Sequence, residues 1–207
     1  MGYLLPTEYE LYGLSAEMTD DWVTTASALM EAYCHRPTLL LTSYTERLRV
    51  MPGSHTVRLS YLPLAVAPGA SSALVSARAR MGQPRRGETP DGFLGSVASA
   101  FGVSGSWSAL DVTQMDADPT TGEVTLAGNF LGLSYNDVEV TYTSGVVTVP
   151  AQLKVACAQI VRNAQSTPGL NVKSSKVDTL TMQYFSGSLL DEQVKSLLRQ
   201  YVAQRVG

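Results

Sequence analysis

The sequence predicts an α+β protein: a helical bundle built from both chain ends, with a long β-rich insertion that makes a second lobe. Apolar residues recur at helical spacing near the N-terminus and again after Pro150, whereas they alternate with polar residues in between. The predicted helical parts are residues 1–37 and 150–207, and the predicted insertion is 38–149. A chain of 207 residues is long enough to bury a core in one or two such lobes.

The first helix is predicted over residues 20–35. Thr19 is a suitable N-cap, Asp20 and Asp21 complement the helix dipole in the first turn, and Pro37 ends the segment. Apolar side chains follow at helical spacing, namely Trp22, Ala26, Leu29, Met30 and Tyr33. This stripe predicts one buried helix face.

Between Leu39 and Val149 the signals are those of strands and turns. Turn-forming Gly and Pro residues separate the candidate strands, which are 38–50, 56–62, 72–80, 107–113, 122–126 and 137–142. In the last of these, Val138, Val140 and Tyr142 alternate with polar residues, which is typical of a half-buried strand.

A long excursion, residues 83–106, interrupts the predicted strands. Its second half begins at Asp91 and has the spacing of a short amphipathic helix. The apolar face of this helix contains Phe93, Leu94, Val97 and Phe101. Two interpretations stay open: a disordered hairpin tip, or an arm that contacts a neighbouring subunit.

The C-terminal third is predicted to be helix, linker and helix. Pro150 starts a helix with an apolar stripe, and Pro168 with Gly169 ends it. Residues 170–186 are predicted to be an extended linker. A last helix is predicted from about Ser188, and its apolar residues are Leu189, Leu190, Val194, Leu197, Leu198, Tyr201 and Val202.

The residues carry no recognisable catalytic pattern. The two histidines and two cysteines form no metal-binding spacing, and no phosphate-binding glycine loop is present, so we expect no enzyme activity, no metal and no cofactor. The acidic segment DADPTTGEV at 116–124 is interpreted as a turn rather than as a pair of catalytic carboxylates. Buried, reduced thiols are expected at Cys34 and Cys157.

Charge and hydropathy indicate a soluble protein made in a cytoplasm. The net charge of −3 argues against a sequence-specific DNA reader but permits a wall past which DNA moves. No apolar run is long enough to span a bilayer, and no secretory signal is recognised, so no membrane contact is expected. One local basic patch, a candidate contact for DNA or an acidic partner, comprises Arg78, Arg80, Arg85 and Arg86.

Three stretches together resemble the head–tail connector (adaptor) family of tailed bacteriophages. The first is ALMEAYCHRP at 28–37, which is similar to the family's first helix. The second joins TGEVTLAG (121–128) to the strand and Pro-initiated helix VEVTYTSGVVTVPAQLKVACAQIV (138–161). The third is LLDEQVKSLLRQYVAQR (189–205), similar to the closing helix, whereas the insertion over 50–120 is only generically similar.

The resemblance implies a structural virion protein made in the bacterial host and located in the neck. Members form a ring, typically dodecameric, beneath the portal protein and around the DNA channel, through which DNA passes without sequence-specific binding. By this resemblance residues 186–207 would dock on the portal. The β lobe and the 83–106 loop would contact neighbouring copies or the tail and neck proteins below.

Two alternatives remain. One is a neck or tail-completion protein, which is also a ring but lies lower in the connector. The other is a β-rich ligand-binding module or hydrolase, in which an exposed Trp107 would form a sugar platform and Asp116 with Glu123 would supply carboxylates. We favour a packing role for Trp107 and expect no loss of activity from changes at the two acids.

Overall fold

In the computed structural model the chain forms two compact units. The first comprises Met1–Pro37 with Thr148–Val202, and the second comprises Thr38–Val147 with Ala203–Gly207. The structure describes residues 2–15, 20–51, 53–81, 93, 96, 97, 100–102, 105–128, 135–166, 174–177, 180–183 and 189–204.

The first unit contains three helices: α1 (Asp20–Tyr33), α2 (Ala151–Ser166) and α3 (Glu192–Leu198). Helix α2 packs against both α1 and α3. Single 3₁₀ turns occur at Pro6–Glu8, Glu10–Tyr12 and Arg199–Tyr201. In α1 the buried face is shifted from the predicted one, because Ala26 and Met30 are buried as predicted but Trp22 is 44% exposed. The buried residues of the three helices are Val23, Ala26, Ser27, Met30, Leu153, Ala156, Cys157, Ala158, Ile160, Val161, Val194 and Leu198.

The N-terminal residues of this unit are tied to the helices by polar contacts. The Tyr3 backbone N–H donates to Ser27 Oγ at 3.1 Å, and Ser27 Oγ donates to the Val23 carbonyl at 2.7 Å. Lys154 of α2 forms an ion pair with Glu8. The N-terminal residues thus have fixed partners on α1 and α2.

The second unit is built from two antiparallel sheets. The larger contains β1 (Thr42–Arg49), β3 (Leu74–Met81), β4 (Trp107–Leu110) and β7 (Tyr135–Ser144) in the order β1-β7-β3-β4. The smaller contains β2 (Thr56–Arg58), β5 (Asp116–Ala117) and β6 (Glu123–Thr125) in the order β2-β6-β5. A separate hairpin in the first unit pairs β8 (Ser174–Val177) with β9 (Leu180–Gln183).

The two sheets of the second unit share one hydrophobic core. Alternate residues of β7 point into it, and Val138, Val140 and Tyr142 are fully buried there beside Val124 of β6. The Tyr142 hydroxyl donates to Glu46 Oε1 at 2.5 Å and accepts from the Tyr61 backbone N–H at 3.1 Å. The hydroxyl therefore has partners on both sides although its ring lies in the core.

The predicted helical bundle from both chain ends is wrong as the fold class. The protein is β-rich, with antiparallel sheets of four and three strands, and the three helices that are described from end to end are short, with 14, 16 and 7 residues. The overestimate of the helical part of the fold has a local cause. Pro6 and Gly13 bound 3₁₀ turns that do not propagate into a helix, and the last helix stops at Leu198.

Several element predictions are confirmed and others are corrected. Helix α1, strand β7 and the helix after Pro150 form where predicted. The predicted strand 107–113 ends at Leu110, because Asp111 caps a 3₁₀ turn by accepting from the Thr113 N–H at 3.0 Å. The predicted linker 170–186 contains the β8–β9 hairpin.

Candidate interaction surface

The outward face of the four-stranded sheet carries a row of charged side chains. Strand pairing sets Glu139 of β7 between Arg47 of β1 and Arg78 of β3. The next outward pair places Asp137 opposite Arg80. Because side chains at alternate positions share a face, these residues converge although they come from three strands.

Short ion pairs connect β3 to β7. Arg78 Nε donates to Glu139 Oε1 at 2.8 Å, and Arg80 Nε donates to Asp137 Oδ2 at 2.6 Å. Arg47 lies farther from its carboxylate, with Nη2 3.6 Å from Asp137 Oδ2. The bonds to Arg78 and Arg80 are charge-assisted and fix the direction of both guanidinium groups.

Trp107 of β4 lies among the same arginines. The guanidinium carbons of Arg47, Arg78 and Arg80 are 5.2, 5.2 and 5.5 Å from the ring centroid. These distances are within the range of cation–π attraction. Trp107 is only half-buried, and it lies beside cations on the sheet rather than in the core.

The basic patch predicted from sequence is therefore placed as follows. Arg78 and Arg80 are on this face and are paired with carboxylates, whereas Arg85 and Arg86 lie outside the described residues. Sequence reasoning missed Arg47 and Arg49, which the β1 strand adds to the same face. The sequence does carry a signal for them, because Thr45, Arg47 and Arg49 are polar residues at alternate positions of a strand, which predicts one common face.

The predicted contact arm is described only in part. Phe93 and Phe101 are 81% and 80% exposed, and Val97 is half-buried. Phe93 and Val97 are helical, and the Phe101 N–H donates to the Val97 carbonyl at 3.0 Å. Leu94 and residues 82–92 lie outside the described residues.

The predicted portal-docking residues divide into two groups. Val194, Leu198 and Tyr201 are buried within the first unit. The other four are half-buried, and they are Leu189, Leu190, Leu197 and Val202. Asp191 caps α3 by accepting from the Val194 N–H at 2.7 Å, so this helix has its own start signal.

The chemistry of the remaining candidate groups is that of structural residues. Burial raises the pKa of the Cys34 and Cys157 thiols to about 11, which keeps both protonated and poorly nucleophilic at neutral pH. Asp118 accepts from the Thr120 and Thr121 N–H groups at 2.7 and 3.2 Å in an exposed turn, as predicted for this acidic segment. No cluster of metal-ligand side chains occurs in the described part of the chain.

No protein-family model matches the chain, and no curated protein matches it. No helix among the described residues has the length and apolar character needed to cross a membrane.

Low pH should lower the stability of the second unit, because it protonates Glu139 on the outward face of the four-stranded sheet. Its hydrogen bond from Arg78 holds the pKa of this carboxyl below the ordinary value of 4.5. A lowered folded-state pKa gives stability that is present above 4.5 and is lost as the pH falls through the folded pKa. We expect Glu139→Gln to flatten the decline in melting temperature between about pH 5 and 3.

The control for this prediction is the same change in an Arg78→Gln background. Without the guanidinium, the shift in the pKa of Glu139 loses its largest cause, so Glu139→Gln should alter the acid slope much less. An equal change in slope in both backgrounds would contradict the assignment of this pH dependence to the Arg78–Glu139 pair.

Proposed function

We propose that this chain is a non-enzymatic structural protein of a tailed-phage virion, a head–tail connector that forms a ring beneath the portal. Its place is the neck, its partners are further copies of itself, the portal protein and the tail or neck proteins below, and DNA passes it without sequence-specific binding. The proposal rests on the resemblance of residues 28–37, 121–161 and 189–205 to the adaptor family. A helical bundle that lines the DNA channel is not part of this proposal.

The observation that carries the ring is the exposed aromatic pair Phe93 and Phe101. Both rings are about four-fifths exposed, and the hydrogen bond from the Phe101 N–H to the Val97 carbonyl places Phe101 at the end of the helical residues. Exposed apolar groups that are clustered often mark a surface that another protein covers. A ring supplies such a neighbour, because its contacts join different faces of successive copies.

Portal docking is proposed for the half-buried residues at the C-terminal end. Leu189, Leu190, Leu197 and Val202 retain exposed surface, whereas Val194, Leu198 and Tyr201 are used in packing. The Gln204 N–H donates to the Ser60 carbonyl at 2.8 Å, so the chain continues past Val202 onto the second unit. Docking would thus use the outer side of this segment and leave its packed side in place.

The test is assembly with the portal protein of the same phage. We expect rings of the purified chain, or of the chain with portal protein, by negative-stain microscopy and mass photometry. The double change Phe93→Ser with Phe101→Ser should abolish ring formation and leave the melting temperature within about 2 °C, because both side chains are exposed in the monomer.

Leu11→Ser is the matched control. Leu11 is 79% exposed and belongs to the other unit, so this change removes a similar apolar surface elsewhere. Rings that persist in the double serine variant would contradict the role of the two phenylalanines. A chain that stays monomeric and does not bind portal protein would contradict the connector function, and a ring at a lower tier of the particle would favour the neck protein.

A further inference from the structure

The outward face of the four-stranded sheet presents its side chains in regular rows. Strand pairing aligns alternate residues of β1, β7, β3 and β4, so that each row crosses the sheet. The β1 and β3 positions supply arginines, and the β7 positions between them supply two carboxylates. The rows, together called the arginine grid, are Arg49–Asp137–Arg80–Trp107, Arg47–Glu139–Arg78–Ala109 and Thr45–Thr141–Ser76.

The arginine grid contains more cationic than anionic groups. It has four arginines but only two carboxylates, so positive charge is left over within it. Arg49 is exposed and forms no ion pair with any described residue. The Arg47 side chain is 52% exposed, and its Nη2 lies 3.6 Å from Asp137 Oδ2. The face as a whole therefore attracts an anionic partner.

The paired arginine Arg78 also keeps donors for a ligand. Its Nε and Nη2 atoms each lie 2.8 Å from Glu139 Oε1, and no hydrogen bond within the described part of the chain uses its Nη1. A guanidinium group has five N–H donors, so the exposed side of Arg78 can still bind an oxyanion. Trp107 groups the cations, because the guanidinium carbons of Arg47, Arg78 and Arg80 lie 5.2 to 5.5 Å from its ring centroid.

The composition of the arginine grid favours nucleic acid over a protein as the anionic partner. Protein–protein interfaces have an apolar core, whereas interfaces with DNA are more polar and carry more positive charge. Only Trp107 and Ala109 of the grid are apolar, and Trp107 is half-buried among arginines. Arginines at alternate positions of one strand are about 7 Å apart, so a strand can meet phosphates that repeat along a nucleic-acid backbone.

We propose that the arginine grid contacts the phosphate backbone of duplex DNA. Arg47 and Arg49 supply the attraction, Arg78 adds its unused donors, and Asp137 and Glu139 limit the affinity so that DNA can move past. The contact is made to phosphates and therefore reads no base sequence. This inference deepens the proposed connector function and rests on it for the choice of the duplex form.

The test measures binding of the full chain to a labelled DNA duplex by fluorescence anisotropy. We expect weak saturable binding at about 50 mM salt, loss of binding by about 200 mM, and affinities within about twofold for two unrelated sequences. The combined change Arg47→Gln with Arg49→Gln should weaken binding about tenfold and lower the slope of log affinity against log salt by about 2. Arg58→Gln is the matched control, because Arg58 is an exposed arginine of β2 in the other sheet. Its affinity should change less than about twofold.

A carboxylate variant should change DNA binding in the opposite direction. Glu139→Gln releases Arg78 from its ion pair and should strengthen binding about threefold or more, a gain that loss of folding cannot produce. Glu123→Gln is the matched control, because Glu123 is exposed on β6 of the other sheet and its change alters the net charge equally. The affinity of this control should stay within about twofold of the original.

The proposal is overturned by a lack of saturable DNA binding at about 50 mM salt and about 0.1 mM protein. Equal effects of Arg58→Gln and the Arg47, Arg49 double variant, or of Glu123→Gln and Glu139→Gln, also overturn it. So does polyglutamate that displaces the duplex at equal or higher affinity, since an acidic protein would then be the partner. Ring assembly is measured on the same samples. Rings without DNA binding overturn this inference alone, whereas DNA binding by a chain that forms no ring and ignores portal protein supports the DNA contact and contradicts the connector function.

Discussion

Replacing Leu198 by Ala should lower the free energy of unfolding of the first unit by about 2–5 kcal/mol. Leu198 is fully buried in α3, and α3 packs against α2. Removing its side chain leaves a cavity lined by apolar groups, which costs both the lost burial and the lost contacts. Chemical denaturation followed by circular dichroism measures the loss.

Leu197→Ala is the internal control for this prediction. Leu197 is the adjacent residue of the same type in the same helix, but it is only half-buried. We expect a loss of about 1 kcal/mol, with a larger effect on portal binding than on stability. If the two variants were equally stable, the assignment of Leu198 to the core of the first unit would be contradicted.

Replacing Gly145 by Ala should destabilise the second unit by about 3 kcal/mol. Gly145 follows β7 with φ at +115°, a conformation that side chains disfavour. An added Cβ would also lie 2.7 Å from the Leu40 carbonyl carbon and 2.8 Å from the Leu39 carbonyl oxygen. Both are backbone atoms of the segment that enters β1, so relief requires the chain itself to move.

The Gly53→Ala variant separates the cost of a positive φ from the cost of steric contact with neighbouring backbone. Gly53 also has a positive φ, of +74°, but nothing lies within 4 Å of an added Cβ. Its substitution should cost about 1 kcal/mol, which is the conformational part alone. A loss at Gly145 no larger than the loss at Gly53 would show that the close approach to Leu39 and Leu40 is not a constraint.

The local elements were predictable where the signals were strong and short-range. Asp20 and Asp21 in the first turn placed the start of α1, and Pro150 placed the start of α2. The alternation of Val138, Val140 and Tyr142 identified β7, because a strand with one buried face must repeat every two residues. Such signals depend only on neighbouring residues.

The interaction surface was predictable only in fragments. Arg78 and Arg80 were recognised as a basic patch, but their carboxylate partners Asp137 and Glu139 are about 60 residues away in the chain. The apolar residues of α3 were interpreted as a docking face, yet the same pattern also fits burial within the chain. An amphipathic stripe indicates which face is covered and does not indicate by what.

Short-range signals in the sequence placed α1, α2 and β7, because caps, prolines and periodicity act within a few residues. The β-rich character, the place of β1 at the end of the strand order and the approach of three arginines to Trp107 became apparent only from the fold. Strand order and register join segments far apart in the chain. They are set by which faces pack together in the core, a choice that no local pattern contains.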